Sequence, residues 1–121
     1  MAQNLTIAGT ASIPLEDGGP IAPISLTALL AFTGRADYVR SYAGAIADDA
    51  VDFGTLAGSG AKGLLVKCAA GSCTIKFNGS TAAWPLAPGG YFLWVNTAQF
   101  FPTSALITTT GAASVVFLAV G

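Results

Sequence analysis

Hydrophobic residues recur at every second position along much of this chain, and the pattern is clearest between residues 64 and 77. A period of two places alternate side chains on opposite faces, which is typical of a β-strand with one buried face. Two such strands flank the loop 69–72, and we predict that they form an antiparallel hairpin about it. Lys67, Thr74 and Lys76 then lie on its polar face. The apolar set lies on the other face: Leu64, Val66, Cys68, Cys73, Ile75 and Phe77.

The predicted hairpin places Cys68 opposite Cys73, and the chain has no other cysteine. Opposed residues have Cβ atoms about 4.5–5.5 Å apart, whereas a disulfide prefers about 3.5–4.5 Å. A zinc site needs about four ligands, and the chain has no histidine to supply them. The two cysteines also lack the CxxC spacing of redox motifs. We therefore predict a pair of buried free thiols, with a hairpin disulfide as the alternative.

Other segments show strand signatures of the same kind. Apolar and polar residues alternate over 24–32 and 38–43, which predicts strands. The apolar run 91–96 is typical of a strand covered on both faces. Residues 105–110 and 113–121 are predicted to form a final hairpin about Gly111. Turn signals recur about every 8–12 residues, and no segment has the period of an amphipathic helix. We predict an all-β fold, a jelly-roll-like antiparallel β-sandwich of about eight strands.

The N-terminal part of the chain differs from the rest in composition. Residues 1–23 are polar and rich in turn formers, with the run Leu15–Pro20 reading LEDGGP. We predict that residues 1–23 form an arm or edge segment. Residues 24–121 are expected to form a single β-sandwich domain.

The composition excludes several classes of function. Only 9% of the residues are charged, against 53% that are hydrophobic, so the surface is neutral and poorly protected against association. We expect neighbouring subunits to cover much of it. The five basic residues are scattered, which argues against a nucleic-acid partner. The apolar stretch 21–32 is interrupted by polar residues and is too short for a membrane helix, and the N-terminus does not read as a signal peptide. We therefore expect a protein made in a cytoplasm, without a membrane partner.

Side chains suited to catalysis are sparse. General acid–base and nucleophilic mechanisms need a positioned base, most often histidine, and the chain has none. No serine lies in a nucleophile-elbow motif. The one acidic cluster, Asp48, Asp49 and Asp52, matches no calcium-binding spacing and reads as a solvated loop. We predict no catalytic, cofactor-binding or metal-binding residue, and a protein that is not an enzyme.

A few exposed-looking residues are candidates for contacts with other subunits. Two adjacent rings, Phe100 and Phe101, cannot both point inward from an extended loop, so one is expected to enter a neighbouring surface. Asp37 is expected to form a surface or subunit-contact ion pair with a nearby arginine. The candidate contact residues are Phe100, Phe101, Lys67, Lys76, Arg35 and Arg40. A sugar-binding role for exposed rings is the alternative, and it would draw on Trp84, Tyr91, Trp94, Phe100 and Phe101.

The C-terminal two-thirds of the chain resembles a known group of proteins. Residues 60–96 read GAKGLLVKCAAGSCTIKFNGSTAAWPLAPGGYFLWVN, and the chain closes on the strand SVVFLAVG. This order of strand, loop, Asn-Gly turn, Pro-Leu segment, Gly-Gly turn and apolar strand resembles small virion proteins of tailed bacteriophages. The most similar members are jelly-roll capsid decoration, or cement, proteins.

The resemblance implies a structural role in a virus particle. It implies a protein made in the host cytoplasm that oligomerises, a homotrimer before a homodimer, and binds the major capsid protein on the virion surface. The first alternative is a tail, neck or fibre-base component of the same particle. The second alternative is a carbohydrate- or receptor-binding β-sandwich module.

Overall fold

The described part of the chain is built almost entirely from short β-strands. The computed structural model describes residues 3–11, 14–15, 19–20, 24–25, 28–96 and 101–121. In chain order the strands are β1 (Gln3–Ile7), β2 (Thr10–Ala11), β3 (Pro14–Leu15), β4 (Gly19–Pro20), β5 (Ile24–Ser25), β6 (Ala28–Phe32), β7 (Arg35–Tyr42), β8 (Ile46–Ala50), β9 (Gly63–Ala70), β10 (Cys73–Phe77), β11 (Trp84–Leu86), β12 (Tyr91–Val95), β13 (Ala105–Thr109) and β14 (Ala113–Val120). A single turn of 3₁₀-helix spans Gly54–Leu56. No helix within these described ranges is long and apolar enough to cross a membrane.

Strands β7 to β14 form two antiparallel sheets of four strands each. Sheet I has the order β12-β9-β14-β7, and sheet II has the order β11-β10-β13-β8. The predicted all-β antiparallel sandwich is therefore confirmed. From β7 to β14 the chain changes sheet after every strand except β10, which lies with β11 in sheet II. These strand orders are compatible with the jelly-roll-like arrangement that the sequence predicts.

The predicted hairpin between β9 and β10 is wrong. Strand β9 pairs with β12 and β14, whereas β10 pairs with β11 and β13. The two strands lie in facing sheets, and the short connection after Ala70 carries the chain across the sandwich. The predicted face assignment is nevertheless right, because two strands that face each other across a core bury the same alternating residues as a hairpin would. Lys67 and Lys76 consequently lie on opposite outer faces of the molecule.

The predicted final hairpin about Gly111 is wrong for the same reason. Strand β13 lies in sheet II, and β14 lies at the centre of sheet I between β9 and β7. A turn signal between two alternating strands therefore marks a change of direction, without showing whether the chain stays in one sheet.

The core lies between the two sheets and is made of the inward-facing residues of both. Sheet I contributes residues such as Val66, Val115 and Phe117, and sheet II contributes Ile75 and Ile107, all of which are fully buried or nearly so. Burying one such side chain contributes about 1.5–3 kcal/mol to folding. The aromatic ring of Phe53, from the segment before the 3₁₀ turn, packs edge-on against that of Phe117 with the ring centroids 5.4 Å apart.

The described strands between residues 3 and 32 pair two by two, and we call these three pairs the ribbon. Strand β1 pairs with β6, β2 with β5, and β3 with β4, all antiparallel. The first two pairs share one register, because Gln3 pairs with Phe32 and Thr10 with Ser25, whereas the pairing of Pro14 with Pro20 is shifted by one residue. The division into an arm of residues 1–23 and a domain of residues 24–121 stays a prediction. The pairing adds that β5 and β6 belong to the same ribbon as β1 and β2.

The base of this ribbon packs on the outer surface of sheet I. Leu30 and Phe32 of β6 form a second apolar cluster with Val120 of β14, and four half-buried residues complete the cluster: Leu5, Ile7, Val95 and Leu118. Gly63 allows this close approach, because a Cβ atom there would lie 2.6 Å from Cδ1 of Leu30. The exposure pattern of β6 also agrees with the predicted alternation, since Leu30 and Phe32 are buried while Leu29 is exposed.

Candidate interaction surface

Sheet I is apolar on both faces, and part of its outer face is exposed. Its outward-facing residues lie in rows that cross the strands. The register gives the first row, in which Val116 pairs with Val39 on one side and with Lys67 on the other, and Lys67 pairs in turn with Tyr91. The next row contains Asp37, Leu118, Leu65 and Leu93. We call the apolar members of these two rows the apolar face: Val39, Leu65, Tyr91, Leu93, Val116 and Leu118.

Three members of the apolar face are strongly exposed for large hydrophobic side chains. Val39 is 68% exposed, Tyr91 is 61% exposed and Leu93 is 38% exposed. The sequence predicts that the run 91–96 is covered on both faces, and its inward residues Phe92 and Trp94 do pack against the core. Its outward residues Tyr91 and Leu93 are not covered by the described part of the chain. Contact sites on soluble proteins are typically built from contiguous exposed apolar residues.

The outer face of sheet II has a different character. Thr74, Lys76 and Thr108 point outward from its two central strands, opposite in direction to the buried Ile75 and Ile107. Lys76 Nζ lies 3.4 Å from Asp48 Oδ1, and the Thr108 hydroxyl donates a hydrogen bond to the same oxygen at 3.3 Å. This mainly polar face is the usual solvent-exposed side of an antiparallel sheet, so the apolar outer face of sheet I is the exception in this molecule.

Charged groups border the apolar face. Arg35 Nε lies 3.6 Å from Asp37 Oδ1, as the sequence predicts, but both side chains are more than half exposed, and such pairs contribute about 0–1 kcal/mol. Lys67 is exposed between Val116 and Tyr91, and no ion pair joins it to another described residue. Of the predicted contact residues, Arg35 and Lys67 are therefore the two that lie beside this surface.

Arg40 has another role. It forms an ion pair with Asp49, which joins β7 of sheet I to β8 of sheet II at one edge of the sandwich. The Tyr42 hydroxyl donates a hydrogen bond to the same carboxylate at 2.7 Å. These bonds, first from Tyr42 and then from Arg40, hold the pKa of Asp49 below its ordinary value. The prediction that these carboxylates lie in a loop is wrong for Asp48 and Asp49, because both lie in β8, although Asp48 is solvent-exposed as predicted. Both carboxylates bind cationic side chains.

Phe101 contributes to an aromatic cluster at the opposite edge of the sandwich. Its ring lies 5.8 Å from Phe77 and 5.7 Å from Trp94, measured between ring centroids, and it remains 36% exposed. Phe92 extends the cluster to Trp84, which is 52% exposed. Phe101 thus folds back on its own core while keeping an accessible edge. The matching prediction for Phe100 lies outside the described residues.

The two cysteines are buried and free, as the sequence predicts. Cys68 donates its thiol hydrogen toward the carbonyl oxygens of Ala70 and Gly71, with sulfur–oxygen distances of 3.3 and 3.0 Å. Burial first, and then the neighbouring Cys68, raise the pKa of Cys73 from its ordinary value of 9.0 to about 12. A thiol with so high a pKa is protonated at neutral pH, and the protonated form is a poor nucleophile. Both cysteines therefore have a packing role.

This burial leads to a prediction about thiol reactivity. The native protein is expected to resist alkylation by iodoacetamide at pH 8, and both cysteines are expected to react once the chain is unfolded in guanidinium. Because the pKa of Cys73 is higher in the folded chain, its contribution to stability is expected to fall as pH rises from about 9 toward 12. Mass spectrometry of the alkylated protein measures the reaction. A variant with the exposed Ala69→Cys change is the control and should be labelled in the native state; rapid native labelling of Cys73 would contradict the burial.

The structure does not gather the predicted contact residues into one site. Lys76 lies on the outer face of sheet II, Arg40 joins the sheets at one edge, and Phe101 lies at the other edge. Sequence reasoning missed Val39, Val116 and Leu118 as surface residues. The available signal was that the strands GLLV and SVVFLAV carry apolar residues at successive positions, which predicts a strand with two covered faces.

The described residues also contain no group of three or more histidine, cysteine or acidic side chains that could hold a metal ion. Among the described residues, the apolar face is the most distinctive exposed surface. Compared with protein-family models, with curated proteins and with solved structures, the chain matches none.

Proposed function

We propose that this chain is a structural subunit of a virus particle, a capsid decoration protein that oligomerises and stabilises the head shell of a tailed bacteriophage. The observation that carries the proposal is the apolar face, a second hydrophobic surface on a sheet whose inner face already forms the core. A sheet of this kind is suited to an assembly in which neighbours cover it. The role is non-enzymatic, and the partners are other copies of the chain and the major capsid protein.

The energetics favour an assembled state. Burying a large apolar side chain contributes about 1.5–3 kcal/mol, so covering Val39, Tyr91 and Leu93 yields a substantial driving force. The chain offers little opposing charge, because only 9% of its residues are charged and its net charge is −1. Such a surface lowers the electrostatic cost of bringing copies together.

The assignment to a phage head rests on the resemblance of residues 60–96 and the final strand to decoration proteins. Within that class, the symmetric lattice of a shell supplies many equivalent positions, and closed symmetry is the norm for homo-oligomers. A homotrimer is the expected form, because threefold and quasi-threefold positions are frequent in such lattices.

The test is to determine whether the protein is present on purified particles from the source culture, and in how many copies. Cryo-electron microscopy is expected to show density for the β-sandwich on the exterior of the head, and gel densitometry is expected to give a copy number comparable to that of the major capsid protein. A copy number far below this would assign the chain to the tail, neck or fibre base. Absence from particles would refute a virion role.

One observation favours the carbohydrate-binding alternative. Trp84 presents half of its surface at the edge of the sandwich, with Phe92 as its ring neighbour at 5.8 Å. Exposed indole rings bind the flat faces of sugars. Binding on a glycan array that is lost in Trp84→Ala would support this alternative over a purely structural role.

A further inference from the structure

Two features of the described chain stand apart from the core of the sandwich, and they belong together. One is the apolar face. The other is the ribbon beyond its base, where β2 pairs with β5 and β3 with β4 but none of these strands joins sheet I or sheet II. A two-stranded ribbon is only marginally stable in water by itself, and it needs a further surface to pack on.

We infer that the apolar face of one copy binds the ribbon of a second copy, so that the subunits are held together by exchange of their ribbons. The inference rests on the self-association in the proposed function. It does not depend on a location in a virus particle.

The first support is continuity with an interface inside the chain. The base of the ribbon already lies on sheet I, where Leu5 and Leu30 cover Gly63 and pack with Val120. Leu118 belongs both to that cluster and to the apolar face, so the uncovered surface begins directly beside the covered one. The outer face of sheet I is thus shown to accept a two-stranded ribbon, and the same chemistry continues over its next two rows of residues.

The second support is size. Strands lie about 4.8 Å apart and alternate outward residues about 7 Å apart, so the apolar face measures roughly 15–20 Å by 14 Å. A two-stranded ribbon is about 10 Å wide and fits beside the first one. Stacking two apolar faces directly would bury only about 300 Å² per copy, whereas specific interfaces bury about 800 Å² per partner. Ribbon exchange buries more, because each copy both gives a ribbon and receives one.

The third support is charge. Between residues 3 and 32 the only charged residues are Glu16 and Asp17, in the segment that connects β3 to β4. The only charge within the rows of the apolar face, apart from Asp37 with its partner Arg35, is that of Lys67. A ribbon that is uncharged along its strands and has two acidic residues between β3 and β4 is complementary to an apolar surface whose rows include one unpaired cation, Lys67. Nucleic acid or an anionic lipid surface would require a larger excess of basic residues.

The experiment uses two variants that each lose one half of the proposed contact. The first variant, Val39→Asp with Leu93→Asp, keeps the ribbon but disrupts the apolar face. The second variant replaces residues 8–27 by an Asn-Gly turn, so that β1 and β6 remain joined but the distal ribbon is gone. The control is Ala50→Asp with Thr74→Asp, which places two aspartates on the outer face of sheet II. Circular dichroism and thermal melting confirm that each variant is folded.

The native mass of each sample is measured by multi-angle light scattering at micromolar concentration. The unchanged chain and the control are expected to be oligomers, and each of the two variants alone is expected to be a monomer of about 12 kDa or less. When the two are mixed, the intact ribbon of the first can bind the intact face of the second, so a one-to-one complex is expected. An oligomer that survives shortening of the ribbon but not the face substitutions would overturn the inference in favour of face-to-face stacking. A monomeric unchanged chain, or variants that fail to associate on mixing, would also overturn it.

A failure of this experiment and a failure of the proposed function are distinguishable. The light-scattering result concerns the purified chain in solution, whereas the proposed function is tested on particles. A decoration protein that binds the shell as a monomer would be present on particles and would show no ribbon exchange.

Discussion

Replacing Ile75 by aspartate is expected to leave the protein without a stable fold at 25 °C. The Ile75 side chain is fully buried on the inner face of β10, among apolar residues of both sheets. A carboxylate there would lose its hydration, and the surrounding core offers no cationic partner among the described residues. Substitutions that bury an unpaired charge belong to the class that costs more than about 4–5 kcal/mol, which is comparable to the whole stability of many domains at about 5–15 kcal/mol.

Near-ultraviolet circular dichroism and thermal melting measure this effect. The matched control is Thr74→Asp, one residue earlier on the same strand, whose side chain points to the polar outer face of sheet II. It is expected to shift the melting temperature by a few degrees at most, since surface substitutions usually change stability by about 0.5 kcal/mol or less. Equal damage by the two substitutions would contradict the assignment of the two faces of β10.

The faces of the strands could be predicted from the sequence because a period of two is a local property. Leu64, Val66 and Ile75 are buried as the alternation indicates, and Lys67 is exposed. The pairing partners could not be predicted in the same way. A short connection after an alternating strand suits both a hairpin and a crossing between facing sheets, and both arrangements bury the same residues. The choice depends on β14, which inserts beside β9 from the far end of the chain.

The interaction surface was predicted only in part. A neutral composition indicates that neighbours cover the surface, but it does not say which face they cover. The apolar face is assembled from Val39, Leu93 and Leu118, which come from three strands distant in sequence and adjoin through the order of sheet I. Two of the contact residues predicted from local sequence features have roles within the chain itself. Phe101 is part of an aromatic cluster on its own core, and Arg40 joins the two sheets by its ion pair with Asp49.

The crossing between sheets depends on one glycine. Gly71 lies in the connection from β9 to β10 and has φ of +69°, in the left-handed region that disfavours residues with a Cβ atom. A Cβ atom at this position would lie 2.2 Å from the carbonyl oxygen of Ala112 and 2.9 Å from Cα of Ala113. Those atoms belong to the backbone at the start of β14, so this connection and the one between β13 and β14 are in close contact.

Gly71→Ala is therefore expected to destabilise the protein by about 2–5 kcal/mol, since a left-handed residue costs about 1–2 kcal/mol and overpacking about 1–3 kcal/mol. The matched control is Gly79→Ala, which has φ of +70° but no atom within 4 Å of the added Cβ. It carries the backbone cost alone, about 1–2 kcal/mol. Denaturant unfolding of both variants measures the difference. The contact with Ala112 predicts that Gly71→Ala unfolds at clearly lower denaturant concentration than Gly79→Ala, because backbone atoms at the start of a central strand cannot move aside without disturbing its pairing with β7 and β9. Equal midpoints would show that the two connections do not touch, and that the crossing between the sheets is held by the core alone.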